Sequence, residues 1–112
     1  MKILDVELED IDLLDLEVAE KVEKATKKVE EKEKNNKATS LSEQIKQQCE
    51  IIFDFFNDIW GEGTDKKVFG DKTNIRICYE AYMEVLDNFS LQREDLTNML
   101  SKYSNKRISR RG

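Results

Sequence analysis

The residues best placed to do chemistry lie in the segment GEGTDKKVFGD, which spans residues 61–71 and holds three of the four glycines of this 112-residue chain. Its glycines could form a phosphate-binding loop, but neither the Gly-Lys-Ser/Thr sequence of such loops nor the dinucleotide-binding pattern is present. Its acids Glu62, Asp65 and Asp71 could bind a cation, but they lack the spacing of a calcium loop. We therefore predict a helix end and a tight loop here, without a cofactor.

Residue types suited to catalysis or metal binding are scarce. The chain has no histidine, the side chain that most often serves as a base near neutral pH and as a metal ligand. Cys49 and Cys78 lie among apolar helical positions, which is typical of free, buried thiols in a reducing compartment; a disulfide between them is the alternative. Asp54 and Asp58 share a helical face, as solvated acids often do. We therefore predict no catalytic residue and no metal site, and a protein that is not an enzyme.

The charge of the chain is distributed unevenly about its net value of −5. The charged residues among residues 1–20 are all acidic apart from Lys2, whereas residues 101–112 contain basic side chains and no acid. Short basic runs can bind nucleic-acid phosphates, but here no aromatic residue is interleaved and the rest of the chain is acidic. We therefore expect a tail that stays solvated or docks on a protein partner, not on nucleic acid. Its candidate binding residues are Lys106, Arg107, Arg110 and Arg111.

A second candidate binding surface is aromatic. Residues 49–71 hold four of the five phenylalanines and the only tryptophan. So many aromatic side chains are difficult to bury against one side of one helix, and exposed apolar patches usually mark interaction sites. We therefore expect part of this surface to contact a partner or another copy of the chain. Its candidate residues are Phe53, Phe56, Trp60, Val68 and Phe69.

The elements that position these residues begin with an extended segment and a charged helix. Residues 2–9 alternate between apolar and mostly acidic side chains, which predicts a short strand that packs on the helices or pairs with another chain. Asp12 or Asp15 is then expected to cap a Glu/Lys-rich helix. The narrow Val/Ala stripe of this helix fits either a weakly docked surface helix or a solvent-exposed arm.

The next helix has the clearest start signal in the chain. Ser40 and Glu43 have the spacing of a capping box, in which each side chain accepts a hydrogen bond from the other residue's backbone N–H. The apolar pattern then continues to about Trp60. Gly61 is placed to end the helix, because the residue after the last turn is often left-handed glycine.

The last predicted helix carries a regular apolar seam. Asp71 or Thr73 is expected to cap it, and its apolar residues then repeat at steps of four and three from Ile75 to Tyr103, with one polar interruption at Arg93. We predict one helix over about residues 74–103, with two shorter helices divided near Ser90 as the alternative. The seam also makes self-association plausible, so we expect a homo-oligomer.

These patterns predict a mostly all-α protein, a small helical domain of three to four helices with a short N-terminal extended segment and a disordered basic C-terminal tail. Residues 1–38 would form the acidic strand-like segment and the Glu/Lys-rich helix, residues 39–104 the helical core domain, and residues 105–112 the tail. No apolar run is long enough to span a membrane, and the acidic N-terminus does not resemble a secretion signal. We therefore expect a cytoplasmic protein.

The order of these features resembles a known family. A helix starting at DLEVAEKVEKA, a capped helix SLSEQIKQQCEIIFDFFNDIWGEGT, the loop KKVFGDKTN and a Tyr-rich helix ending in KYSNKR follow one another, and the most specific part is Gln47 to Asn74. The chain resembles the tail assembly chaperones, small proteins encoded in the tail modules of prophages and siphophages of Firmicutes. The resemblance covers nearly the whole chain but includes no catalytic motif.

The resemblance implies a non-catalytic protein that holds the tape-measure protein, recruits tail tube subunits and is absent from the finished virion. An all-helical module with surplus aromatic surface suits such a task, since it can lie against an amphipathic helix. Two alternatives stay open: a nucleic-acid-binding phage accessory or regulatory protein, and a structural tail completion or connector protein.

Overall fold

Helices dominate the part of the chain that the structure describes. This computed structural model describes the backbone of residues 1–111 and the side chains of residues 1–104 and Lys106. The elements in chain order are β1 (Lys2–Ile3), β2 (Val6–Glu7), α1 (Leu16–Lys34), α2 (Leu41–Trp60), α3 (Thr64–Phe69) and α4 (Ile75–Arg111). The predicted fold class, mostly helical with a short N-terminal extended segment, is confirmed.

The extended segment folds on itself as a small hairpin. β1 and β2 pair antiparallel, and the turn residues Leu4 and Asp5 both have positive φ, at 49° and 63°, as a two-residue hairpin turn with the twist of the strands requires. Ile3 and Leu8 are buried in the common core. The Met1 ammonium group donates hydrogen bonds to the Leu8 carbonyl and to the acids at positions 7 and 10.

α1 is docked on α2 and is not an exposed arm. Its apolar stripe is buried at Val22, Ala25 and Val29. Two ion pairs link the helices: Lys28 Nζ lies 3.7 Å from Asp58 Oδ2, and Lys32 Nζ lies 2.8 Å from Asp54 Oδ2. Because residue numbers rise along α1 as they fall along α2, the two helices are antiparallel.

The start of α2 differs from a capping box in one bond. The backbone N–H of Glu43 donates to Ser40 Oγ at 3.2 Å, as predicted. The Glu43 carboxylate accepts from the backbone N–H of Thr39 at 3.1 Å, one residue before the position expected. At the other end Gly61, with φ of 106°, closes the helix and donates its N–H to the Asn57 carbonyl.

The segment between α2 and α4 contains the short helix α3, which the sequence patterns do not predict. Thr64 Oγ1 donates to the Gly61 carbonyl at 2.6 Å, and the Asp65 N–H donates to Asn57 Oδ1 at 3.0 Å, so the start of α3 is fastened to the end of α2. α4 is then capped by Asn74, whose Oδ1 accepts from the N–H groups of residues 76 and 77. The prediction that Asp71 or Thr73 caps this helix is wrong.

α4 is one continuous helix and sets the shape of the molecule. Its 37 residues span about 55 Å at 1.5 Å per residue, and the described chain extends 65 × 30 × 22 Å. Contacts with α2 lie in its first half, where Tyr79 Oη donates to Gln48 Oε1 and Tyr82 packs edge-on against Phe55. Disorder is predicted for residues 105–112. Apart from Lys106, their side chains lie outside the described residues, so the disorder stays a prediction.

One core joins the first two predicted segments. The buried apolar cluster begins at Ile3, includes residues from both 1–38 and 39–104, and ends at Phe89. Every described side chain from Arg93 to Ser104 is exposed. The structure therefore divides α4 into a half that belongs to the core and a half that extends from it.

Candidate functional site

Most of the predicted aromatic surface lies in the core. Phe56 is fully buried, and Val68 and Phe69 retain only 8% and 7% of their exposure. The Phe56 ring contacts Trp60 and Phe69, each at a centroid distance of 5.4 Å, and the Phe53 and Phe69 rings lie 5.1 Å apart. Burial removes Phe56, Val68 and Phe69 from any surface offered to a partner, because α3 folds back over this face of α2.

The two remaining aromatic candidates are half-buried. Trp60 donates its indole N–H to the Glu9 carbonyl at 2.8 Å, so it holds the N-terminal segment against the end of α2. Phe53 rests on α3 through Phe69. Both side chains therefore contribute to packing, and only their outer edges are accessible.

The basic candidates all lie at the far end of α4. The Lys106 side chain is exposed. The side chains of Arg107, Arg110 and Arg111 lie outside the described residues, although the backbone that carries them is helical. These residues are therefore remote in sequence and position from the aromatic candidates, and the two predicted surfaces do not form one site.

The exposed apolar surface of the described chain lies mainly on α4. Three exposed large apolar residues lie elsewhere, at Leu14, Leu16 and Leu41, and the others are all on this helix. Those on α4 are Tyr79, Met83, Leu91, Leu96, Met99, Leu100 and Tyr103. None of them is among the predicted binding residues, although the step of four and three through Leu96, Leu100 and Tyr103 is the signal that could have identified part of the set.

The first of two patches on α4, which we call the α4 groove, has an apolar floor and an acidic rim. It encloses about 540 Å³ and is lined by Arg76, Tyr79, Glu80, Met83, Glu84 and Asp87. Burial, together with the nearby Glu33 carboxylate, raises the pKa of the Tyr79 phenol, so this side chain is a neutral part of the floor. Glu84 is fixed by accepting a hydrogen bond from the Leu4 N–H at 3.0 Å.

The second patch, which we call the projecting stripe, consists of Leu96, Met99, Leu100 and Tyr103. These side chains are 41%, 44%, 59% and 60% exposed. They continue the side of α4 that is buried at Val85 and Phe89, since the steps from Phe89 to the Leu96, Leu100 and Tyr103 positions are seven, four and three residues. The projecting stripe therefore resembles the buried face of α4 in its apolar side chains, but these side chains are exposed.

The two cysteines do not form a reactive site. Cys49 and Cys78 are free, fully buried and in side-chain contact. Burial and the contact with Cys49 raise the pKa of the Cys78 thiol to about 12, so the nucleophilic thiolate is strongly disfavoured. The expectation of free buried thiols is confirmed. Among the described residues there is also no group of three or more His, Cys, Asp or Glu side chains that could hold a metal ion.

The comparisons with known proteins identify a family without assigning a function. The model of the Family of unknown function (DUF6673) matches residues 4–112. The chain belongs to this family. No curated protein and no solved structure matches the chain. The DUF6673 match spans both the α4 groove and the projecting stripe.

Charged side chains interrupt the apolar surface of α4. None of the helices in the described residues combines the length and the apolar character that crossing a membrane requires. The exposed apolar side chains of α4 alternate with charged ones, including Glu80, Glu84 and Arg93. The surface of α4 is therefore amphipathic.

Proposed function

We propose that the protein is a phage tail assembly chaperone, a non-catalytic binding protein that holds the tape-measure protein in the host bacterial cytoplasm during tail morphogenesis. The observation that carries the proposal is the concentration of exposed apolar side chains on one long helix, α4. The sequence resemblance supplies the identity of the partner. An apolar helical partner of this kind needs a surface that covers it until assembly, and α4 offers one.

The α4 groove is the proposed contact with the tape-measure protein. Its floor contains Met83, an unbranched side chain that adapts to irregular partners, and Tyr79, which offers both an apolar ring and a hydroxyl. Its rim carries Glu80, Glu84 and Asp87. This combination favours a partner helix with one apolar stripe flanked by basic residues.

Co-expression with the tape-measure protein tests this proposal. The wild-type chain should increase the soluble fraction of the tape-measure protein and co-purify with it, and the Met83→Lys variant should lose most of both effects. Leu41→Lys is the matched control, because Leu41 is also an exposed apolar residue on a helix but belongs to α2 and does not line the groove. Equal retention by the two variants would exclude the groove, and no retention by the wild type would exclude the chaperone function.

The basic end of α4 keeps two alternatives in view. Lys102 and Lys106 are exposed there, and their positive charges could bind the phosphates of a nucleic acid, as an accessory protein of that kind would require. That function requires binding that weakens steeply with salt and is lost when residues 106–112 are removed.

A tail completion or connector protein would instead be found in purified particles by mass spectrometry, whereas a chaperone would be absent from them. In the chaperone proposal, the same basic residues recruit the tail tube protein and do not bind nucleic acid.

A further inference from the structure

We propose that the projecting stripe is covered by a second copy of this chain. The two projecting segments, residues 93–111 of each copy, pack antiparallel, and the basic end of each α4 lies against the acidic segment formed by residues 9–15 of the other copy. This dimer uses a different surface from the α4 groove and so goes beyond the proposed function.

The argument starts from the continuity of the stripe with the core. The side of α4 that buries Ala81, Val85 and Phe89 continues through Leu96, Leu100 and Tyr103 without a change of face. The projecting segment is about 28 Å long, and its apolar part, residues 96–103, is about 12 Å long at 1.5 Å per residue. An apolar helix face with steps of three and four is typical of helix pairing, in which such seam residues interlock.

Charge decides the direction of the pairing. In an antiparallel pair centred between Leu96 and Leu100, Leu96 of one copy lies beside Leu100 of the other. Tyr103 then lies beside Arg93, where a guanidinium group can stack on the phenol ring and where the seam is otherwise interrupted. A parallel pair would place Arg93 of one copy beside Arg93 of the other within the seam, which is unfavourable.

The same arrangement brings the basic end of α4 to the most acidic part of the second copy. Gln92 accepts a hydrogen bond from the Leu13 N–H and donates one to the Ile11 carbonyl, both at 2.8 Å. Residues 9–15 therefore lie where α4 leaves the core, which is the point that the end of an antiparallel α4 reaches. The exposed acids of this segment are Glu9, Asp10, Asp12 and Asp15.

Apolar area at this end favours the same occupant. Leu14 and Leu16 are 42% and 71% exposed beside the acidic segment. Lys106 is exposed near this end, so its methylene groups can cover part of them while its ammonium group meets the acids. The stripe alone offers only a few turns of helix, so the contact between tail and acidic segment should supply a salt-sensitive share of the affinity.

Sedimentation of the full-length chain over a range of concentrations tests the interface. The wild type should form a dimer, and a Leu96→Gln/Leu100→Gln variant should raise the dimer dissociation constant tenfold or more while its helix content is unchanged. Leu91→Gln is the matched control, since Leu91 is 61% exposed on the same helix but lies outside the stripe. A wild type that stays monomeric, or a double variant that dimerises like the control, would overturn the proposal.

Charge substitutions test the direction. Tyr103→Glu should keep the dimer, because the new carboxylate meets Arg93 of the other copy, whereas Tyr103→Glu combined with Arg93→Glu should weaken the dimer tenfold or more, since residues 93 and 103 meet only between copies. If the double variant dimerises as well as Tyr103→Glu alone, the antiparallel arrangement is wrong.

The groove variant separates this inference from the proposed function. Met83→Lys should dimerise as the wild type does, because Met83 lies outside the stripe. A wild type that dimerises but neither binds nor solubilises the tape-measure protein would count against the chaperone function alone. A stripe that becomes covered only when the tape-measure protein is added would count against the dimer alone.

Discussion

Gln92 is one of the residues that join the start of the chain to its last helix. Its amide nitrogen donates to the Ile11 carbonyl and to Asn88 Oδ1, and its oxygen accepts from the Leu13 N–H. Gln92→Ala should therefore lower the free energy of unfolding by about 1–3 kcal/mol, because it leaves half-buried backbone groups without partners.

Denaturant unfolding measures this effect, and hydrogen exchange should show faster opening of residues 9–15. Gln44→Ala is the control, since Gln44 is exposed on α2. Similar losses for the two substitutions would mean that the Gln92 bonds contribute little to stability.

Cys78 makes stability depend on alkaline pH. Burial raises the pKa of its thiol to about 12 from the ordinary 9.0, so the folded state holds its proton more tightly than the unfolded state. The resulting stability is fully present below pH 9 and is lost as the pH rises toward 12. The decline of the unfolding free energy above pH 9 should be shallower in Cys78→Ala, and an equal slope in both proteins would contradict the assignment.

At the scale of elements, the start of α2 depends on one hydroxyl. Ser40→Ala removes the acceptor for the Glu43 N–H and should cost about 1 kcal/mol, visible as a fall of several degrees in the thermal midpoint. Ser101→Ala is the control, because Ser101 is exposed inside α4, where alanine is a good helix former. The prediction is wrong if the two variants melt together.

The sequence was most informative about the long elements. α1, α2 and α4 each contain several turns, so each shows a recognisable apolar period. For α2, the end signals at Ser40 and Gly61 agree with the extent of that period. α3 has six residues, fewer than two turns, and such a length carries no period. For the start of α4, the sequence offers several capping residues close together: Asp71, Thr73 and Asn74. The geometry of the loop, which the sequence pattern does not contain, selects Asn74.

The binding surface was harder to predict than the fold, because burial depends on neighbours that a single helix pattern does not contain. The sequence predicts Phe56 and Phe69 at a partner surface, because so many rings are difficult to bury against one helix face. In the structure α2 is covered from more than one side, by α1, α3 and α4, so these rings pack on one another. The exposed apolar surface lies instead on α4, where Leu96 and Leu100 extend beyond the covering elements.

At the scale of the whole molecule, α4 divides into a half that supports the fold and a half that projects from it. Its buried cluster ends at Phe89, and the side chains described beyond Gln92 are exposed, so the projecting segment adds little to the fold of one copy. A chain ending at Asp95 should therefore keep its fold, with a thermal midpoint within a few degrees of the full-length protein at low concentration.

Concentration should distinguish the two forms. If a second copy covers the projecting stripe, the midpoint of the full-length protein rises with protein concentration, because association stabilises the folded state by mass action. The chain ending at Asp95 lacks Leu96 and all that follows, so its midpoint should not change with concentration. Calorimetry of both chains across a hundredfold range of concentration measures the difference. Unfolding of the shortened chain at room temperature would show that residues beyond Asp95 support the core directly, contrary to the division of α4 that the burial pattern indicates.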